Sequence, residues 1–254
     1  MSASSFEHKV VLITGAASGI GKECARQFRA QGARVAIADI DSRQGSILAD
    51  ELGADTGFWT LDVTSESAWG DVLSDVCARW GRLDVLVNAA GIVVQGSIED
   101  TALEDFRRVH AVNVEGVFLG CKAAIPLLRK HGGAIVNISS TAGLRGVAKL
   151  AAYNSAKGAV RLLTKSVALH CAEAGYDIRC NSLHPSYIDT PMVQKMAAES
   201  DNPGRMLSVM KRVSPMNRMG SVQEVAGVVV FLASDAASFI NGAEIPVDGG
   251  ATAR

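Results

Sequence analysis

Lys9-Val10-Val11-Leu12-Ile13-Thr14-Gly15-Ala16-Ala17-Ser18-Gly19-Ile20-Gly21 opens the ordered pattern of the chain. Its first half is a short apolar run dominated by valine, leucine and isoleucine. That composition suits a strand buried on both faces of a parallel sheet. Its second half places glycines at 15, 19 and 21, where the backbone must turn tightly, and a helix is predicted from Gly19 to Ala30. A helix that starts on such a turn points free N–H groups and the positive end of its dipole at the turn, where a pyrophosphate can sit. The spacing is GxxxGxG rather than the GxGxxG dinucleotide fingerprint, and a strand–helix turn that merely needs small residues has the same look.

Working outward, Arg34–Asp39, Asp84–Asn88, Ala134–Ser139, Ile178–Leu183 and Ala243–Val247 read as further buried strands, with Phe58–Leu61 a weaker one. Amphipathic helices are predicted at Ser65–Trp80, Leu103–Leu128, Tyr153–Ala172 and Val222–Ala233. Alternation this regular predicts right-handed βαβ units. The expected fold is α/β: a single-domain, Rossmann-type, doubly wound parallel sheet with helices on both faces. Thr190 to Gly220 breaks the rhythm with Pro191, Pro203 and Pro215 and no strand of its own, and is expected to form a helical substrate lid. One domain would then span 1–254: a core with the cofactor and catalytic residues over 9–185, a lid over 186–220, and a last helix and strand over 221–254.

With 48% hydrophobic and 20% charged residues, the chain has a globular composition, and its net charge of −1 gives no reason to expect a nucleic-acid partner. Met1 to Lys9 is polar and does not read as a signal peptide, and no run of about 18 apolar residues predicts a membrane span. Cys24, Cys77, Cys121, Cys171 and Cys180 are scattered and odd in number, which suits reduced thiols in the cytoplasm and no metal site.

Asp39 ends the second strand, 24 residues after Gly15. A carboxylate there can accept from adenosine ribose hydroxyls and repel a 2′-phosphate, which favours NAD over NADP. Asp is also common in strand-end turns and helix caps, a task Asp41 can perform as well. Tyr153 and Lys157 are spaced i, i+4 and share a helix face, a few residues after Ser140 at the end of the fifth strand. A phenol with a pKa of about 10 is a poor base at neutral pH, but a nearby ammonium and a cationic nicotinamide favour the phenolate. Taken alone, such a pair is more often a surface pair. His184 reads as a hydrogen-bonded strand-end residue rather than a substrate contact, and His110 and His170 as structural. Six of the seven methionines fall between Met192 and Met219, fitting either lid packing or an adaptable apolar pocket.

Together these motifs resemble the short-chain dehydrogenase/reductase family over nearly the whole chain. The matching stretches are TGAASGIG at Thr14–Gly21, Asp62-Val63, NAAG at Asn88–Gly91, Asn113, ISS ending at Ser140, Tyr153-x3-Lys157, Pro185…Thr190 and Val247-Asp248-Gly249-Gly250. The pattern is most similar to bacterial 3β/17β-hydroxysteroid and cyclic-alcohol dehydrogenases. The resemblance implies an NAD-dependent oxidoreductase interconverting a secondary alcohol and a ketone, with a small, mostly apolar substrate. Tyr153 would be the acid/base. Lys157 would hold the nicotinamide ribose and lower the Tyr153 pKa, Ser140 would position the substrate, and Asn113 would keep a water behind Lys157. Gly15, Ser18, Gly19, Ile20, Gly21, Asp39, Asp62, Val63, Asn88, Ala89, Gly91, Pro185, Ile188 and Thr190 would contact the cofactor. Leu144, Leu150, Ser186, Tyr187, Met192 and Met196 would join Ser140 and Tyr153 around the substrate. Ser186 stands where the family usually has glycine. The helices at 103–128 and 153–172 and the C-terminal strand would build a homotetramer. A ketoacyl-thioester reductase shares the motifs, but such enzymes generally use NADPH; a dinucleotide sensor would have no need of Ser140, Tyr153 and Lys157 together.

Overall fold

Every residue of the first strand, β1 (Val10–Thr14), is buried, as its unbroken apolar run requires. The computed structural model describes residues 6–253; residues 1–5 of the polar leading stretch lie outside them. The remaining strands are β2 (Arg34–Asp39), β3 (Thr56–Thr60), β4 (Val85–Asn88), β5 (Gly133–Ile138), β6 (Ile178–Pro185) and β7 (Glu244–Val247). Among the described residues they form one parallel sheet in the order β3-β2-β1-β4-β5-β6-β7. The order reverses between β1 and β4, and a crevice opens at the carboxyl ends of these two strands.

The helices are α1 (Gly19–Ala30), α2 (Ser42–Leu52), α3 (Glu66–Trp80), α4 (Leu103–His110), α5 (Gly116–Leu128), α6 (Ala151–Glu173), α7 (Pro191–Ala198), α8 (Pro203–Val213) and α9 (Val222–Ala233). One face of the sheet is sealed by α1, α2 and α9 through Phe28, Leu48, Val225 and Val229. The other is sealed by α3, α5 and α6 through Trp69, Val117, Leu128, Val160 and Cys171. The expected doubly wound architecture is therefore present.

Local differences have local causes. The α2 helix was not predicted, because Gly45 interrupts its apolar periodicity. Gly45 is where the Phe58 ring lies against the helix, and a Cβ there would overlap that ring. The third strand begins at Thr56 and stops before Leu61. The stretch 103–128 is not one regular helix: Ala111–Glu115 forms a wider turn in which Gly116 N–H donates to Ala111 C=O, five residues back. By length and composition this stretch could cross a membrane, yet α5 packs on α3 and the sheet, and Lys122 pairs with Glu66 at 2.7 Å. The stretch from 190 to 220 resolves into α7 and α8, and Met196, Met206, Met210 and Met219 pack there against Leu150 and Leu207.

Trp69 is the largest fully buried side chain, and its indole N–H donates to Val63 C=O at 3.0 Å. This bond fixes the loop after β3 against α3. Trp69→Ala should cost about 3–5 kcal/mol, from a cavity plus an unpaired carbonyl. Urea unfolding would measure it, and a loss below about 1 kcal/mol would mean that the α3 face reorganises freely.

Candidate active site

Gly15 leaves β1 with φ +64°, and a Cβ on it would lie 2.7 Å from the Ala90 backbone. Gly21 has no room for a Cβ against the Gly15 carbonyl oxygen. These two absences of side chain let β1, the start of α1 and the loop after β4 meet closely. Thr14 Oγ accepts from the N–H groups of both Ala89 and Ala90 at 3.1 Å, so one hydroxyl ties the two loops together. Ser18, at the start of α1, makes no side-chain cap. By contrast α2, α3, α7, α8 and α9 each begin on a capping side chain. The first turn of α1 thus opens its N–H groups to the crevice, the arrangement an anion requires.

The crevice has a volume of about 330 Å³. Its wall includes Gly15, Ser18, Gly19, Ile20, Gly21, Asp39, Asp62, Val63, Ala89 and Gly91 on one side. Ser140, Tyr153, Lys157, Pro185, Ser186, Ile188, Thr190 and Met192 stand on the other. Asp39 uses one carboxylate oxygen to accept from Ala17 N–H at 2.9 Å and the other to accept from Asp41 N–H at 3.0 Å. It therefore braces the glycine-rich turn. Asp41, not Asp39, caps α2, accepting from Gln44 N–H at 3.0 Å.

Tyr153 and Lys157 rise from one face of α6. The Lys157 ammonium lies 5.6 Å from the Tyr153 ring centre and donates to Ile138 C=O at 2.8 Å. Burial lowers its pKa to about 8. Burial also pushes the Tyr153 phenol up to about 12, against the pull of a hydrogen bond to Ser140, with Tyr187 adding to the rise. Ser140 Oγ accepts from Ala142 N–H at 3.1 Å and donates to Pro185 C=O at 3.4 Å. The neighbouring Ser139 is turned inward and donates to the Lys157 carbonyl at 2.9 Å. Asn113 lies in the widened turn between α4 and α5. Its amide clasps the Ile92 backbone, accepting from N–H at 2.8 Å and donating to C=O at 2.9 Å. A Cβ on Gly91 would press on Asn113 Oδ1 at 3.3 Å and touch Lys157 Nζ at 3.5 Å.

Several sequence expectations need correction. Asn88 does not reach the crevice: it is buried and donates to Asn137 Oδ1 at 2.8 Å, tying β4 to β5. Asn113 is buried behind the wall, beside Gly91 and near Lys157, and this is not at odds with its expected place behind Lys157. Leu150, Tyr187 and Met196 stand behind it too, in the apolar cluster that also holds Tyr153. Leu144 is half-buried and not on the wall. Thr190 stays on the wall, and its hydroxyl also caps α7, accepting from Val193 N–H at 3.3 Å and donating to Ile188 C=O at 3.3 Å. Sequence reasoning missed the Thr14 hydroxyl, and it missed Ile92, Val112 and Val193 on the wall. Only their adjacency to NAAG, Asn113 and Met192 could have pointed to those three. His184 is hydrogen-bonded at a strand end, as expected.

A family profile described as enoyl-(acyl carrier protein) reductase matches residues 15–252. The 3-beta-hydroxysteroid dehydrogenase of Comamonas testosteroni is 40% identical over 243 residues, covering 94% of each chain. The trans-4-hydroxycyclohexanecarboxylate dehydrogenase of Sinomonas cyclohexanicum is 41% identical, covering 96% of this chain and 93% of that one. The crystal structure of levodione reductase superimposes with a TM-score of 0.93 at 33% identity, over 98% of this chain and 99% of that one.

The chain belongs to the short-chain dehydrogenase/reductase family. As a short-chain dehydrogenase/reductase it is an oxidoreductase of the alcohol–ketone class, and the family's cofactors are nicotinamide dinucleotides.

Proposed function

We propose that this protein is an NAD-dependent dehydrogenase for a bulky, mostly apolar secondary alcohol, such as a hydroxysteroid or a cyclic or aromatic alcohol, and for the corresponding ketone. The observation that carries this reading is the convergence of Ser140, Tyr153 and Lys157 on the same crevice as the glycine turn. The turn fits a dinucleotide: Gly15 and Gly21 leave the space a Cβ would fill, and α1 is uncapped. A bound nicotinamide supplies the carbon that accepts or donates hydride. The protein's own residues handle the proton. Ser140 holds the substrate oxygen beside the Tyr153 hydroxyl, and Tyr153 takes the proton from the alcohol or returns it to the ketone. Lys157 keeps a positive charge beside the phenol and offers N–H donors to the ribose. Asn113, held by Ile92, stands behind Lys157 at the far end of a proton path.

The apolar Ile92, Met192 and Val193 on the wall support an apolar substrate. Outward-facing Phe118, Leu162, Leu169, Phe231 and Phe239 support a homotetramer. Sedimentation equilibrium should therefore give four copies of the 26.6 kDa chain, and a monomer would exclude the assembly. Five free cysteines, four of them buried, fit a cytoplasmic protein. A ketoacyl-thioester reductase shares the catalytic residues, but the dinucleotide preference set by Asp39 weighs against it.

Tyr153→Phe should retain cofactor binding and lose turnover by orders of magnitude. The pH dependence has a defined sign. Oxidation needs the phenolate, and a raised Tyr153 pKa keeps that form scarce at neutral pH, so alcohol oxidation should climb as pH rises. Ketone reduction needs the phenol and should hold or fall over the same range. Parallel pH profiles in the two directions, or near wild-type turnover of the Phe variant, would remove Tyr153 from the mechanism.

Asp39 decides the cofactor. The family includes NADP-dependent members. Here a 2′-phosphate would bring about two negative charges beside a carboxylate. Ala16, Ala17 and Ser18 offer no cation, and Ile40, on the crevice wall, is apolar. A preference of roughly a hundredfold or more for NAD is expected. Because Asp39 also braces Ala17, Asp39→Ala should weaken NAD, and adding Ile40→Arg should admit NADP. Steady-state kinetics with both cofactors on the unmodified enzyme test this; equal efficiency with NADP would leave Asp39 as a brace alone.

A further inference from the structure

The hydrogen-bonded ladder between β5 and β6 runs out beside the catalytic serine. Ser139 N–H donates to Leu183 C=O at 2.8 Å, but Pro185, further along β6, has no N–H to offer in return. The Ser140 carbonyl accepts from Gly143 N–H at 2.9 Å, within the turn, and from His184 Nδ1 at 3.0 Å, across to β6. A carbonyl can only accept, so Nδ1 carries the proton. In the neutral ring Nε2 is then an acceptor, and Ser182 Oγ, 2.9 Å away, can donate to it. Burial lowers the His184 pKa, which favours this neutral form. His184 is fully buried and absent from the crevice wall, so it does not touch substrate.

Ser140 is the point at which the chain leaves the extended conformation for the tight turn Thr141–Gly143. Its hydroxyl is oriented by Ala142 N–H, two residues on, and that bond forms only if the Ser140–Thr141 peptide keeps its orientation. Gly143 N–H holds this carbonyl from inside the turn at 2.9 Å, and the imidazole ties the same carbonyl across to β6.

We propose that His184 is a positioning residue for Ser140. Held as the Nδ1–H tautomer by the Ser140 carbonyl, with Ser182 at its other nitrogen, it joins Gly143 in pinning that carbonyl so that the hydroxyl stays directed at Tyr153. This role rests on the reading of Ser140 and Tyr153 given under Proposed function.

Asparagine and glutamine at position 184 separate positioning from scaffolding. Both bring an amide into the same buried space. Asparagine places its N–H₂ near the position of Nδ1, whereas glutamine places it near Nε2, toward Ser182. Turnover of a cyclic secondary alcohol would be measured beside NADH affinity, read by cofactor fluorescence, for H184N, H184Q and S140A. H184Q should lose roughly tenfold to a hundredfold in kcat with NADH affinity nearly unchanged, and H184N should recover most of the loss. Equal kcat in the two variants overturns the proposal. So does a parallel fall of kcat and NADH affinity, or failure of both variants to bind NADH, because His184 would then be scaffold. The S140A enzyme keeps the two readings apart. Full turnover there brings down the role of Ser140 itself; lost turnover there with an unaffected H184Q overturns the role of His184 alone.

Discussion

The Lys157 ammonium is buried, and among the described residues its hydrogen-bond acceptor is the carbonyl of Ile138, 2.8 Å away. A buried charge with one acceptor is expensive, and burial accordingly lowers its pKa to about 8. Much of the surrounding architecture makes this placement possible. Ser139 turns inward to hold the Lys157 carbonyl. The wide turn at Ala111–Glu115 brings Asn113 near the ammonium, and Gly91 leaves space beside both. An ammonium with unfilled donor capacity beside an open crevice is prepared to receive hydroxyl groups. The stability lost in burying it is offset when a ligand completes its hydrogen bonds.

The elements legible in the sequence are those whose signal is local. A valine-rich run, a glycine turn and an amphipathic stretch each declare themselves within about ten residues, and so β1, α1, β2 and α9 fall where they were expected. The i, i+4 spacing of Tyr153 and Lys157 is also local, and it holds because α6 is regular there. What was not legible depends on neighbours distant in sequence. Helix α2 carries Gly45 where the ring of Phe58, on β3, lies against it, a neighbour that no local pattern reveals. Asn88 reads as a ribose neighbour until Asn137 and Cys121 are seen to occupy its amide inside the core. Asp39 and Asp41 could not be told apart as caps by composition, because the distinction rests on which carboxylate reaches Gln44.

The same contrast governs the substrate end. The methionines between 192 and 219 permitted two readings, and both roles are visible in different residues. Met196, Met206, Met210 and Met219 pack the lid onto Leu150 and Tyr187, whereas Met192 stands on the crevice wall. Beyond that wall lies a second, smaller cavity of about 80 Å³, bounded by Tyr187, Met210, Ser214 and Met216. Among the described residues, Ser186 and Ile188 line both spaces and form the partition between them. Position 186 is where the family pattern has glycine. The serine side chain adds atoms to the partition that a glycine would leave open, and it puts a hydroxyl beside the apolar Ile188. The departure that the sequence marked therefore falls at the point where the pocket's inner limit is set. On one side of that point stands the fixed strand end at Pro185, and on the other the methionine-rich helices α7 and α8, whose side chains are flexible.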